Sequence, residues 1–212
     1  MKTEELVNAL VVDLPTAQPR FPRILALSLA LGSAIAALLF FAVIGLRPDL
    51  AAALSGARVW FKFAFALTLG VASLVLAKRV NEPGVGIGRW GYALLAAPAV
   101  LAIGVALECF LTPAAEWGAR LVGVNAKYCL ALIPLLAAAP LASLLLAMRQ
   151  GAPSSPGWAG ALAGLLAGAI AAGLYATHCP DDSPLFLATW YPLAIAIVTM
   201  LGAAIGARVL KW

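Results

Sequence analysis

An all-α polytopic membrane protein is the fold class this chain predicts: a six-transmembrane-helix bundle behind a short cytoplasmic N-terminal amphipathic helix. Three observations lead there. Of the 212 residues, 64% are hydrophobic and only 11% charged, against roughly 25% charged in soluble globular domains. Six apolar runs are long enough to cross a bilayer, which takes about 20 residues of helix. The breaks between the runs gather proline, glycine and charge, the residues that end helices and make turns. A soluble domain this small could not hide so much apolar surface, so lipid is its solvent.

The runs fall near residues 24–46, 59–77, 91–111, 128–148, 158–177 and 186–209. Arg47-Pro48-Asp49 parts the first two, and Lys78-Arg79-Val80-Asn81-Glu82-Pro83-Gly84 the next two. Thr112-Pro113, Gln150-Gly151-Ala152-Pro153 and His178-Cys179-Pro180-Asp181-Asp182-Ser183-Pro184 mark the remaining breaks. Pro134 and Pro140 interrupt the fourth run, and Pro98 and Pro192 mark gentler kinks. Membrane helices tolerate proline because neighbouring helices re-satisfy the freed carbonyls. Gly160, Gly164 and Gly168, with Gly202 and Gly206, give the last two runs small faces for close packing. No internal repeat of the kind transporters show is evident.

Basic residues set the orientation. With the N-terminus inside, the inner side holds Lys2, Arg20, Arg23, Lys78, Arg79, Arg89, Arg149, Arg208 and Lys211. The outer side holds Arg47, Arg58, Arg120 and Lys127, with Lys62 inside a helix. Both termini are therefore expected in the cytoplasm of a bacterial inner membrane. The net charge of +5 speaks for topology and gives no sign of direct nucleic-acid binding. Met1-Lys2-Thr3-Glu4-Glu5 is partly acidic, and no small-residue cleavage site follows, so no signal peptide is expected. Three cysteines without a C-x-x-C pair are too few for a disulfide scaffold.

The first 23 residues form a segment apart, and residues 24–212 the membrane domain. Residues 3–14 read as an amphipathic helix: Thr3 can cap it, and Glu4 and Glu5 suit the positive end of its dipole. Leu6, Val7, Leu10, Val11 and Leu14 make one apolar stripe, and Pro15 stops the helix. About twelve residues of isolated helix are marginal in water, so the stripe folds against something. A place on the bilayer or the inner loops is one choice; the acidic first turn disfavours an anionic leaflet and favours a protein groove.

At the outer level, topology gathers Lys62, Glu108, Cys109, Cys129, His178 and Cys179. Cys129 and Cys179 open two routes. They form a disulfide if their Cα atoms come within about 7 Å, or with His178 and an aspartate they bind a soft metal ion transiently. An inert structural disulfide or unreactive thiols are the plain alternative, and Asp181, Asp182 and Ser183 with Pro184 suit the start of the sixth helix. Lys62 and Glu108 are expected to form a structural ion pair, since charges within spans are usually paired.

These residues resemble the NrsF-like family, six-span bacterial inner-membrane anti-sigma factors of extracytoplasmic-function sigma factors of the SigF type. The resemblance rests on Met1-Lys2-Thr3-Glu4-Glu5-Leu6 with Ala9-Leu10 and Asp13-Leu14, on Leu46-Arg47-Pro48-Asp49-Leu50, and on the lone Cys129 opening the fourth span. Gly151-Ala152-Pro153 and the heptapeptide from His178 to Pro184 complete it. It implies an N-terminal segment that holds a sigma factor away from RNA polymerase, and a sensing end at Cys129 and Cys179 that answers oxidants or thiol-reactive metals. Cys109 receives no role. The expectation is a regulator and not an enzyme, without a resident cofactor. A small transporter or metal-efflux protein is the alternative, although Thr68, Ser73 and Ser143 are almost the only polar groups at mid-membrane.

Overall fold

The computed structural model describes residues 20–82, 85 and 87–211, with Glu4 standing alone before them. The expected N-terminal helix with Leu6, Val7, Leu10, Val11 and Leu14 lies outside the described residues. Every regular element among the described residues is helical. Helix α1 is Arg20–Val43, α2 the short Leu50–Ala53 and α3 Ala57–Val80. A 3-10 segment, Gly88–Leu95, runs into α4, Ala96–Leu111. Then come α5, Ala114–Val122, α6, Ala126–Met148, α7, Pro156–Ala176, and α8, Pro184–Val209.

Six of these units are long and apolar enough to cross a membrane, with ends within a few residues of the sequence expectation. Helix α7 is the hub. Most of its length is buried, whereas α1 is mostly uncovered. It packs on α8 most extensively and also on α3 and α6, while α1 lies mainly along α6. The reason is side-chain size. A Cβ added at Gly160 would collide with the Gly202 carbonyl, and one at Gly164 would stand 2.7 Å from the Val198 carbonyl oxygen. The backbones of α7 and α8 thus touch directly, which replaces side-chain interdigitation by close dispersion contact.

Proline positions follow the same economy of backbone. Pro156 and Pro184 open α7 and α8, where a missing N–H costs nothing. Pro98 sits in the first turn of α4, just where the 3-10 turn gives way to α-helix. Pro140 lies inside α6. There α1 approaches at Gly32, whose missing Cβ leaves room 2.7 Å from the Pro140 Cα.

Helix α5 was not expected from the sequence, where Thr112-Pro113 reads only as a break. It carries Glu116 in its first turn and Arg120 in its last, and ends at Gly123 with φ +58°. That left-handed backbone comes with a close approach, since the Phe186 ring occupies the space of a Cβ. A Gly160→Leu substitution should therefore lower thermal stability in detergent by about 1–3 kcal/mol through overpacking. Gly157→Ala, whose Cβ meets its nearest neighbour at 3.9 Å, should leave the melting curve within about 0.5 kcal/mol.

Candidate functional site

Residues 177–183 join α7 to α8, and polar groups of this loop bind elements from across the bundle. The amides of His178 and Cys179 both donate to the Tyr175 carbonyl, at 2.9 and 3.0 Å, closing the last turn of α7. Ser183 starts α8 by accepting from Leu185 N at 3.3 Å. Asp181 and Asp182 have other work.

Asp182 faces Lys62 and Arg47. Lys62, on α3, has no exposed surface. Its Nζ lies 2.6 Å from Asp182 Oδ1 and donates to the Cys179 carbonyl at 2.8 Å. Arg47 Nη1 reaches Asp182 Oδ2 at 2.8 Å and the same Cys179 carbonyl at 3.3 Å. Its Nε and Nη2 grip Asp49 at 2.8 and 2.7 Å. Asp49, and more weakly Asp182, hold the Arg47 guanidinium above its ordinary range against the effect of burial. Arg47 in turn holds the Asp49 carboxyl below its own. Arg47 N also donates to the Thr177 carbonyl at 3.2 Å.

Asp181 points the other way. Its Oδ2 accepts from Val124 N, Asn125 N and Asn125 Nδ2 at 3.1, 2.8 and 3.0 Å. Asn125 supplies no side-chain cap to α6, so this carboxylate stands at the positive end of that helix in its place. His178 Nδ1 lies 3.0 Å from the Gly45 carbonyl, past the end of α1. A carbonyl only accepts, so the ring proton belongs on Nδ1. Gly45 itself has φ +74°, the left-handed turn that ends α1 and brings its carbonyl to the histidine.

The expected Lys62–Glu108 pair is not formed. Glu108 Oε2 takes Arg58 Nη2 at 2.8 Å and Oε1 takes Arg120 Nη1 at 2.7 Å, while Ser183 Oγ donates to Oε1 at 3.4 Å. Arg120 also reaches Glu116 at 2.9 Å along α5. Two arginines nearer the surface saturate Glu108, and Lys62, one turn deeper than Arg58, meets the loop aspartate. Arg58, Arg120 and Asp182 were thus missed as ion-pair partners. The four-residue spacing of Arg58 and Lys62, which puts both on one helix face, was the available signal.

Cys129 lies in the first turn of α6 and Cys179 in the loop; both are wholly buried and both are free thiols. They adjoin one another. The Cys129 thiol and, further off, the Lys62 ammonium draw the Cys179 thiol below its ordinary pKa, against the opposing effect of burial. The structure therefore brings together the two sequence-predicted thiols. His178 is turned to Gly45, and among the described residues no three His, Cys, Asp or Glu side chains gather as a metal-binding group. Cys109 is half-buried on α4. Sequence reasoning also passed over Tyr175 and Tyr191, which are fully buried beside the thiols. Tyr175 stands four residues before Cys179, one helical turn away.

Removing one partner of a buried ion pair strands the other charge. Asp182→Ala should cost about 3 kcal/mol or more. Adding Lys62→Met to that variant should recover a large part of the loss, as thermal unfolding of the three proteins in one detergent would register.

Comparison with known proteins agrees over the whole length. The family described as "Negative regulator of sigma F", NrsF, matches residues 10–212. The "Anti-sigma-F factor NrsF" of Caulobacter vibrioides is 34% identical over 215 residues, covering all of both chains. The "Probable anti-sigma-F factor NrsF" of Azospira oryzae is 36% identical over 220 residues, again covering both completely. No solved structure matches the chain. A family match over nearly every residue, with two full-length relatives above 30% identity, leaves one assignment: this chain belongs to the NrsF family of negative regulators of sigma F.

Proposed function

We propose that this chain is a membrane-bound anti-sigma factor that sequesters an extracytoplasmic-function sigma factor and releases it when Cys129 and Cys179 are modified from the periplasm. The observation that carries the first half is the end-to-end correspondence with an anti-sigma-F factor. The second half is supported by the adjoining thiols at the end of the bundle that the distribution of Lys and Arg assigns to the outside. Both termini then lie in the cytoplasm, the first 23 residues hold the partner, and the protein sits in the bacterial inner membrane.

The partner surface in this reading is the stripe Leu6, Val7, Leu10, Val11 and Leu14, an amphipathic helix suited to an apolar groove. The input is a disulfide or a soft-metal clip between Cys129 and Cys179. Two neighbouring thiols without a third ligand among the described residues favour the disulfide. A hundredfold loss of sigma affinity needs about 2.8 kcal/mol of coupling between the two ends, within the usual range for allosteric proteins. A transporter reading draws no support from the bundle. Among the described residues the buried charges Arg47, Lys62 and Glu108 all sit at one end.

Full-length protein in nanodiscs should capture candidate sigma factors, and Leu6→Asp or Leu10→Asp should reduce capture at least tenfold. Capture unchanged in both variants would remove the N-terminal stripe from the account. The double variant Cys129→Ser/Cys179→Ser should bind as tightly as the parent and keep its partner under oxidant. Release from that variant would rule out the thiols as the sensor.

A further inference from the structure

Among the described residues, the buried side-chain polar atoms without a hydrogen-bond partner are Ser73 Oγ, Asn81 Oδ1, Tyr175 Oη and Tyr191 Oη. Two of them flank the thiol pair. The Tyr175 and Tyr191 rings lie 6.1 Å apart, and neither residue has exposed surface. The Tyr175 hydroxyl stands beside both sulfurs, yet makes no well-formed hydrogen bond to either. A phenylalanine would fill either position without burying an idle donor, which is costly. These hydroxyls are therefore placed for a partner that the resting thiols do not supply. Neutral thiols are weak acceptors, whereas an oxygen carried on sulfur is a strong one.

We propose that the hydroxyls of Tyr175 and Tyr191 form the receiving site for the oxygen of a sulfenic acid on Cys179, an intermediate on the way to the Cys129–Cys179 disulfide. The inference rests on the redox reading of the two thiols given above and adds a modification site to it. Cys179 is the thiol that reacts first. It lies in the loop outside the spanning helices, and the Lys62 ammonium is fixed on its carbonyl at 2.8 Å. Its thiolate attacks the distal oxygen of a hydroperoxide; an S–O bond forms as the O–O bond breaks, and the remaining oxygen leaves as alcohol or water after taking a proton. Sulfur is oxidised by two electrons and the peroxide reduced. The Cys129 sulfur then attacks the sulfenyl sulfur. The S–S bond forms, the S–O bond breaks, and hydroxide departs with the Cys129 proton as water. Preplaced donors help most where charge develops, because they need no rearrangement at the moment of reaction.

The test uses the full-length protein in nanodiscs with Cys109→Ser to leave only the pair, hydrogen peroxide as oxidant, and disulfide formation followed by mass spectrometry. Tyr175→Phe and Tyr191→Phe should each slow the disulfide at least fivefold, and the double variant more. The midpoint of the thiol–disulfide equilibrium in glutathione buffers should stay where it was, since the hydroxyls bond neither resting thiol and a disulfide offers them no oxygen. In a Cys129→Ser background, dimedone should trap a sulfenic acid on Cys179, with lower yield once Tyr175 is Phe. Phe variants that melt like the parent and oxidise at its rate would overturn the tyrosine site and leave the disulfide reading intact. A parent protein that forms no Cys129–Cys179 disulfide under peroxide would overturn both. Should a Phe variant fail to fold, the absence of any dimedone adduct with both tyrosines intact would still overturn the proposal.

Discussion

An ammonium group with no exposed surface has to find its charge partner inside the protein, and Lys62 finds it in the loop between α7 and α8. Taking such an ion out of water costs several kcal/mol even after relaxation, so the partner must be held in place. Arg47 performs that service by binding the same aspartate and the same carbonyl. The consequence spreads. One short loop answers to the turn after α1 through His178 and Arg47, to α3 through Lys62, to α4 through Ser183 and Glu108, and to α6 through Asp181. The thiol of Cys179 therefore sits in a backbone whose position is fixed from every side, against a Cys129 anchored in the first turn of α6.

That arrangement gives a local chemical event a mechanical reach. The Cys179 carbonyl carries both Lys62 and Arg47, so a shift of this residue disturbs the neutralisation of a wholly buried charge. Helix α7 leads from the loop to the opposite end of the bundle, and its backbone lies directly on α8 at Gly160, Gly164, Gly202 and Gly206. Packing of that closeness does not deform gradually; helices in such contact move as units. In the proposed anti-sigma reading, this pair of helices is the rigid part through which the outer end biases the inner one.

Much of the fold was legible because the bilayer imposes a length on every span, and six runs of that length stand out from a sequence poor in charge. Helix α5 was not, because nine residues containing Glu116, Trp117 and Arg120 look like an ordinary polar break. Topology gave the end of the bundle at which each side chain lies but not its depth to within one helical turn. Hence Lys62 and Glu108 were wrongly paired: Arg58, one turn nearer the surface on the same helix face as Lys62, takes Glu108, and Lys62 meets Asp182 of the loop. The meeting of Cys129 and Cys179 was readable since both sit where helices meet the same surface. Tyr175 and Tyr191 were invisible as site residues, because in an apolar helix an aromatic reads as core until its hydroxyl is seen to lack a partner.

In the proposed reading, the state of one thiol pair sets the affinity of a distant partner surface. The most direct measurement is the dissociation constant of the sigma factor for the full-length protein in nanodiscs, taken once with Cys129 and Cys179 reduced and once with the disulfide formed. Binding about a hundredfold weaker in the oxidised protein is the expected result. Equal affinity in the two states, with the disulfide verified by mass spectrometry, would contradict it.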